Sequence, residues 1–333
     1  MGILNFALSG NYKDFYAQLK ELSKTNHKSP VLMFLDTAFS TLLFGSGLQD
    51  YLNYKFYNKS LKERSTYVTI GNMAKAYKTL AAIEYADFIS NKANFHKNYS
   101  KFTKRDFCTP DDSFEKFQEF VNKHPVFVTK PQRGLGGSNV KKVSKDEIPS
   151  LEDFYNKMKE DEIFVEELVI QDEKWGALSP DSINTLRIMT TVVNENVKII
   201  FGAARIGSGK TIADNFHQGG QGVLIDLGTG KLKGNGIDKK LNENEKSITG
   251  ITFDGFDIPY WEEIKKMVKE AALINPNIHI VGWDVSISKN GPLIIEGNRG
   301  PGFDLVQVLL NKGTKYMLDD LQKELKKSFD SHL

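Results

Sequence analysis

Residues 281–305, VGWDVSISKNGPLIIEGNRGPGFDL, constrain this chain more than any other stretch. Two β-rich runs, Ile278 to Ser288 and Pro292 to Gly297, flank the turn KNG and predict a hairpin. Asp284 falls on the first strand, and Glu296 and Asn298 fall near the end of the second. Residues two apart share one face of an extended strand. Glu296 and Asn298 therefore point the same way, and Asp284 can face the same space across the hairpin. Two carboxylates and an amide oxygen form a hard, all-oxygen set. It suits Mg²⁺, which prefers few carboxylates together with phosphate oxygens and water. The plainer alternative is a polar hairpin end with solvated acids.

A second segment, VFVTKPQRGLGGSNVKKV at 126–143, puts Lys130 at the end of a strand and a Gly-rich turn after it. Gly134, Gly136 and Gly137 let backbone N–H groups approach an anion, Ser138 adds a donor, and Lys130 supplies a point charge for phosphate. Gly-rich hairpin loops without a ligand are commonplace. In DEIFVEELVIQ, 161–171, Glu166 and Glu167 end an apolar strand, and alternation points one inward and one outward. Alone, this segment reads as an acidic turn.

The remaining pattern sets the class. Helical spacing dominates residues 1 to about 100, as in Phe15, Leu19 and Leu22 and in the run from Met73 to Phe88. Pro30 suits the start of a helix that reaches Phe44, and Gly45 and Gly47 suit its end. Beyond Lys101 the strands come mostly as hairpins, including Leu186–Val193 with Val197–Arg205 across NEN. Largely antiparallel sheets and an α+β class follow. At 333 residues with 40% apolar side chains, the chain has material for two or three packed sub-domains. A net charge of +2 gives no electrostatic case for nucleic acid as the main partner. The single cysteine, Cys108, excludes an internal disulfide and a multi-cysteine metal site, and it fits a reducing cytoplasm. The N-terminus lacks the basic start and long apolar run of a signal peptide. The longest apolar stretch, Val31 to Phe44, is interrupted by Asp36 and falls short of the roughly 20 residues that span a bilayer. No integral membrane segment is expected. The stretch reads as a buried core helix, with peripheral membrane docking of the N-terminal region as the alternative.

Taken in order, SNKANFHKNY, TKPQRGLGGSNV, SPDSINTLRIMTTV, AARIGSGKTIADNFHQGGQGVLID and DVSISKNGPLIIEGNRGPG resemble the ATP-grasp superfamily. The pattern is similar to that of D-alanine–D-alanine ligases and closer to the sugar-transfer-associated subgroup. The resemblance spans roughly residues 60 to 330. It implies a helical N-terminal region (1–100), a small α+β lobe with the Gly-rich loop (101–170) and a large lobe with the metal and catalytic site (171–333), the lobes holding ATP between them. It implies that Lys130 contacts nucleotide phosphates under a mobile loop of Gly134 to Ser138. Lys92 and Lys104 both remain candidates for a second nucleotide lysine. Glu166 and Glu167 would sit at the hinge, with the backbone of Leu168 and Val169 against adenine and a Glu on the ribose hydroxyls. Asp284, Glu296 and Asn298 would be Mg²⁺ ligands. Arg187 and Arg205 would stabilise transferred phosphate, and Arg299 would face a substrate carboxylate or a phosphate.

The loop IADNFHQGGQG, 212–222, reads as an active-site loop near the acceptor, with Asn215 and His217 as candidates and His217 able to act as a base near neutral pH. A plain strand connection with a surface His is the alternative. ARIGSGKT, 204–211, nearly matches a P-loop, but Ala204 replaces its first Gly and no helical periodicity follows the Lys, so a P-loop NTPase is rejected. By resemblance the activity is a cytoplasmic, ATP-dependent carboxylate–amine ligation through an acyl-phosphate, releasing ADP and phosphate. Its cofactors would be ATP and Mg²⁺, and its substrates small and possibly sugar-linked, in polysaccharide or related biosynthesis. The alternatives are a small-molecule kinase on the same fold and a nucleotide-binding protein without turnover. Monomer and homodimer are both open.

Overall fold

The computed structural model describes residues 12–80, 83–133, 140–209 and 220–330. The expected loop residues Gly134, Gly136, Gly137 and Ser138, and Asn215 and His217, lie outside the described residues. The chain divides into two compact units, Met1–Leu80 with Gly302–Leu333, and Ala81–Pro301.

In the first unit, α1 (Tyr12–Asn26) buries Phe15 and Leu19 against α2 (Pro30–Phe44). The start of α2 follows from local chemistry. The Ser29 side chain accepts from the Leu32 N–H, and Pro30 occupies the first turn, where its missing donor costs nothing. Gly45 ends the helix in the left-handed region at φ 64°. The backbones of Gly45 and Gly71 meet so closely that a Cβ on Gly71 would lie 2.8 Å from the Gly45 carbonyl oxygen. A bed of aromatic rings, Tyr51, Tyr54, Phe56 and Tyr67, fills the space beneath. The helix Asp304–Leu310 returns to this unit through Gln307, which is fully buried. Its side chain accepts from Val68 N at 2.7 Å and donates to Val68 O at 2.9 Å.

One expectation fails here. The stretch Val31–Phe44 is a helix, but not a buried one: Val31, Leu32, Leu35, Phe39, Leu42 and Leu43 are exposed. No helix among the described residues is long and apolar enough to cross a membrane.

The second unit carries two sheets, and every strand pair among the described residues is antiparallel, as the hairpin pattern predicts. The smaller has the order β1-β4-β2-β3, with β1 Phe107–Cys108, β2 Val126–Pro131, β3 Lys141–Ser144 and β4 Ile163–Glu167. The larger has the order β11-β10-β5-β6-β7-β8-β9. Its strands are β5 Thr185–Val193, β6 Asn196–Ile206, β7 Gln221–Asp226, β8 Lys231–Asp238, β9 Glu243–Asn244, β10 Ile280–Ser288 and β11 Gly291–Arg299. Each sheet is covered by helices on one face, because alternation sends only every second side chain there. The helices Phe114–Lys123 and Leu151–Glu160 press Phe117, Phe120, Val121, Tyr155 and Met158 onto Phe127, Val165 and Cys108 of the small sheet. The helix Trp261–Ala272 presses Ile264, Met267 and Val268 onto Leu186, Ile188, Ala204, Val281, Trp283 and Val285 of the large one. The opposite, polar positions of both sheets are left for the site.

Candidate functional site

On the large sheet, the pairing register builds one row. Glu296 lies opposite Asp284, Asp284 lies opposite Arg187, and Arg205 lies opposite Thr185, two residues before Arg187. Asn298 lies opposite Gly282 on the same face. Arg187 grips Asp284 with both prongs: Nε donates to Oδ1 at 2.5 Å and Nη2 to Oδ2 at 3.1 Å. Arg205 Nη1 lies 3.4 Å from Asp284 Oδ2. The Asn298 amide donates to Glu296 Oε1 at 3.3 Å.

The two carboxylates titrate as a pair. Burial would raise Asp284, but the charges of Arg187 and Arg205 overcome it and hold Asp284 below its ordinary value. Burial raises Glu296, and the neighbouring Asp284 charge raises it further, against the pull of Lys130. A cation between them would relieve that strain. A buried carboxylate, a half-buried one and an amide oxygen are a donor set that fits Mg²⁺; Arg187 already occupies part of the Asp284 acceptor capacity.

The small sheet contributes from the other side. Lys130 pairs in register with Phe164, and Val128 with Glu166, so Lys130 and Glu166 share the face turned away from the covering helices. Glu166 is 3% exposed and is the hub of an ion-pair cluster. Arg105 Nη1 lies 2.6 Å from its Oε2, His96 Nε2 lies 3.0 Å from the same oxygen, and Lys130 Nζ pairs with Oε1. Burial would raise Glu166, yet Arg105, Lys130 and His96 together hold it well below the usual carboxylate range. Arg105 also donates from Nη2 to the carbonyls of Ile294 and Ile295, each at 3.3 Å, tying the cluster to β11. His96 sits on the helix α3 (Lys92–Asn98), and its ring lies tilted between those of Phe107 and Phe164, each ring centroid 4.9 Å away. A small cleft of about 30 Å³ joins both sides. Lys92, His96 and Lys130 line it together with Glu296 and Asn298. Burial pushes the Lys92 ammonium down, with Lys130 adding to the effect against the pull of Glu296.

Lys92 thus reaches the cleft. Lys104 does not line it; its Nζ donates to the Pro292 carbonyl at 3.0 Å. Glu167 lies on the opposite face of β4 from Glu166, where its backbone N–H donates to the Asp106 carbonyl and its side chain accepts from Asp106 N at 3.2 Å. Leu168 and Val169 follow β4 directly, and Val169 is buried. Arg299 lies opposite Val281, on the other side of β11 from Asn298. Two residues of the cluster carry no assignment from the sequence, Arg105 and His96. A signal for His96 was present: it lies four residues after Lys92 on one helix, a spacing that puts both on the same face.

His96 gives the cluster a pH signature. Burial lowers its pKa from 6.5 to about 4, helped by the charges of Arg105 and Lys130 against Glu166. The unfolded chain therefore binds the extra proton between pH 6.5 and about 4, and the folded chain does not. The stabilisation is complete above pH 6.5, and about 3 kcal/mol is lost on descending through that window. Urea titrations of wild type and His96→Gln across this range should show that slope flattened in the variant. An unchanged slope would mean that other groups carry the acid sensitivity.

This chain belongs to the sugar-transfer associated ATP-grasp family, whose pattern matches residues 53–323. No curated protein matches the sequence. Among solved structures it is similar to the ATP-grasp ligase PsnB, complexed with a phosphomimetic variant of its minimal precursor, Mg and ADP (12% identity, TM-score 0.46, 74% of this chain and 61% of that one). It is also similar to a Chryseobacterium gregarium RiPP-associated ATP-grasp ligase in complex with ADP and a leader and core peptide (16%, 0.41, 74% and 61%). The Helicobacter pylori D-alanine–D-alanine ligase is a third (13%, 0.45, 73% and 63%). The chain thus covers 61% of the length of the PsnB structure.

Proposed function

We propose that this chain is an ATP-dependent ligase that joins a carboxylate to an amine. The observation that carries the reading is the cleft itself. Two lysines from one side, Lys92 and Lys130, face the oxygen donors Glu296 and Asn298 from the other. Cations for a polyphosphate and hard oxygen ligands for a divalent ion converge on one space. Asp284, Glu296 and Asn298 would hold Mg²⁺, which when bound neutralises charge on nucleotide phosphates. Arg187 holds Asp284 in place, and Arg205 beside it presents positive charge to a transferred phosphoryl group.

A substrate carboxylate oxygen attacks the γ-phosphorus of ATP, the bond to the bridging oxygen breaks, and ADP departs. The amine then attacks the carbonyl carbon of the acyl-phosphate, phosphate leaves with one former carboxylate oxygen, and the amine nitrogen gives up a proton. Positioning and charge neutralisation suffice for both steps, and no protein nucleophile is needed. The family's association with sugar transfer supports a sugar acid or an amino acid bound for a surface glycan, handled where ATP is made, in the cytoplasm.

Mass spectrometry tests this with purified protein, ATP, Mg²⁺ and a pool of amino acids, sugar acids and nucleotide sugars. A product equal to two pool members less one water, with ADP and phosphate, is the expected result. A phosphorylated pool member with ADP and no free phosphate would make the protein a kinase and overturn the ligase reading. The lysines separate more finely. Lys92→Ala and Lys130→Ala should each weaken ATP binding by about tenfold in calorimetry, as expected for the loss of one charge-assisted contact, while Lys104→Ala should leave it within about twofold. Equal losses at Lys92 and Lys104 would count against the cleft as the phosphate site.

A further inference from the structure

The polarity of α2 is reversed for a surface helix. Its polar residues face the protein. Asp36 accepts from Arg64 Nη1 at 2.7 Å and Nη2 at 2.8 Å and from the Tyr51 hydroxyl at 2.8 Å. Ser40 Oγ accepts from Arg64 Nη1 at 2.9 Å, and Thr37 and Ser40 are buried. The solvent side belongs to Val31, Leu32, Leu35, Phe39, Leu42 and Leu43, which are 44–78% exposed. A surface helix of a globular protein shows the opposite arrangement. Asp36 is the one charged residue of the helix, and it is turned inward.

Charge gathers near one end of this helix. Lys28 Nζ pairs with the Tyr57 carbonyl and donates to Asn58 Oδ1 at 2.9 Å. That bond draws the segment carrying Lys55, Lys59 and Lys62 to the N-terminal end of α2, beside Lys28 and the last turn of α1, where Lys24 pairs with Glu21 at 3.0 Å. Residues 1–80 and 302–333 hold 15 Lys and Arg against 10 Asp and Glu, a net +5, whereas the chain as a whole carries +2. The remaining residues are therefore net −3, so the positive charge is concentrated on the unit that bears the apolar face.

We propose that α2 docks this unit flat on an anionic lipid surface, its apolar side chains at the acyl boundary and the neighbouring lysines on head-group phosphates. Apolar area and basic residues together are what in-plane helices use for such binding. A second copy is a poorer occupant. A single helix face about 22 Å long and about 11 Å wide is far smaller than the roughly 800 Å² per partner that a stable dimer buries.

Co-sedimentation with vesicles of phosphatidylcholine containing about one third phosphatidylglycerol tests the proposal. Wild type should pellet with them and bind pure phosphatidylcholine at least about tenfold more weakly. The double variant Leu35→Ser/Leu42→Ser should bind the anionic vesicles at least about tenfold more weakly, since two large apolar side chains leave the acyl boundary. Its thermal unfolding should be unchanged, because both residues are solvent-facing. Lys24→Glu/Lys62→Glu should weaken binding to the anionic vesicles alone. The proposal is overturned if wild type stays in the supernatant, or if the leucine variant pellets as wild type does. It is equally overturned if wild type is dimeric without vesicles and the leucine substitutions split the dimer, which would give the face to a second copy.

Discussion

A Glu296→Ala variant should fold as well as wild type and consume ATP about a thousandfold more slowly, the loss of several kcal/mol of electrostatic stabilisation at the transferred phosphate. The reasoning rests on the pairing of Glu296 with Asp284. Glu296 is half-buried opposite Asp284, and desolvation and that neighbour raise its pKa. Removing it relieves a repulsion between like charges, and Asp284 keeps its two bonds to Arg187. Loss of turnover therefore cannot be put down to a collapsed sheet. Asp284→Ala is the less clean experiment, since it strands the Arg187 guanidinium. Thermal unfolding and ATP consumption should be measured on the same Glu296→Ala sample. Wild-type turnover in a folded variant would remove the metal-holding role from the β10–β11 hairpin.

The second large effect falls on stability. Lys104 and Arg105 are adjacent, yet their substitution should differ severalfold in cost. Lys104 sits in the left-handed region at φ 49°, ends a helical turn, and is exposed. The reversal at Lys104 sends Arg105 inward, where it is 9% exposed and neutralises the fully buried Glu166. Arg105→Met leaves that carboxylate with Lys130 and a neutral His96. Breaking a buried pair from one side costs about 3–5 kcal/mol, whereas Lys104→Met should cost about 1 kcal/mol, the loss of its bond to the Pro292 carbonyl. Denaturant unfolding of the two variants side by side is the measurement. Equal costs would mean that Glu166 is held mainly by Lys130. Because Arg105 also donates to the Ile294 and Ile295 carbonyls, its loss should loosen β11 and lower ATP affinity as well.

Much of this arrangement was legible in the sequence because strands with one buried face advertise it. Val281, Trp283, Val285 and Ile287 alternate with Asp284 and Ser286, which betrays both the β10–β11 hairpin and the side its acids occupy. The adjacent pair Glu166 and Glu167 also had to split across a sheet, and alternation says so. What escaped did so for physical reasons. Strand β8, KLKGNGID, mixes Gly with exposed Lys and shows no apolar face to read. The exposure of α2 is invisible to composition, since an apolar run looks the same whether it faces a core or solvent. The tie between Val68 and Gln307 spans 239 residues and leaves no local trace. Arg105 resembles any basic residue after a helix until the turn at Lys104 aims it at Glu166.

The central claim is that ATP is spent on a carboxylate, and the fate of oxygen tests it most directly. The reaction should be run with ATP, Mg²⁺ and a pool of amino acids and sugar acids labelled with ¹⁸O in their carboxylates, and the released phosphate analysed by mass spectrometry. The account predicts one ¹⁸O in each phosphate, carried over when the amine displaces it from the acyl-phosphate. Phosphate free of label would show that water or another acceptor receives the phosphoryl group, and the ligase reading would fall.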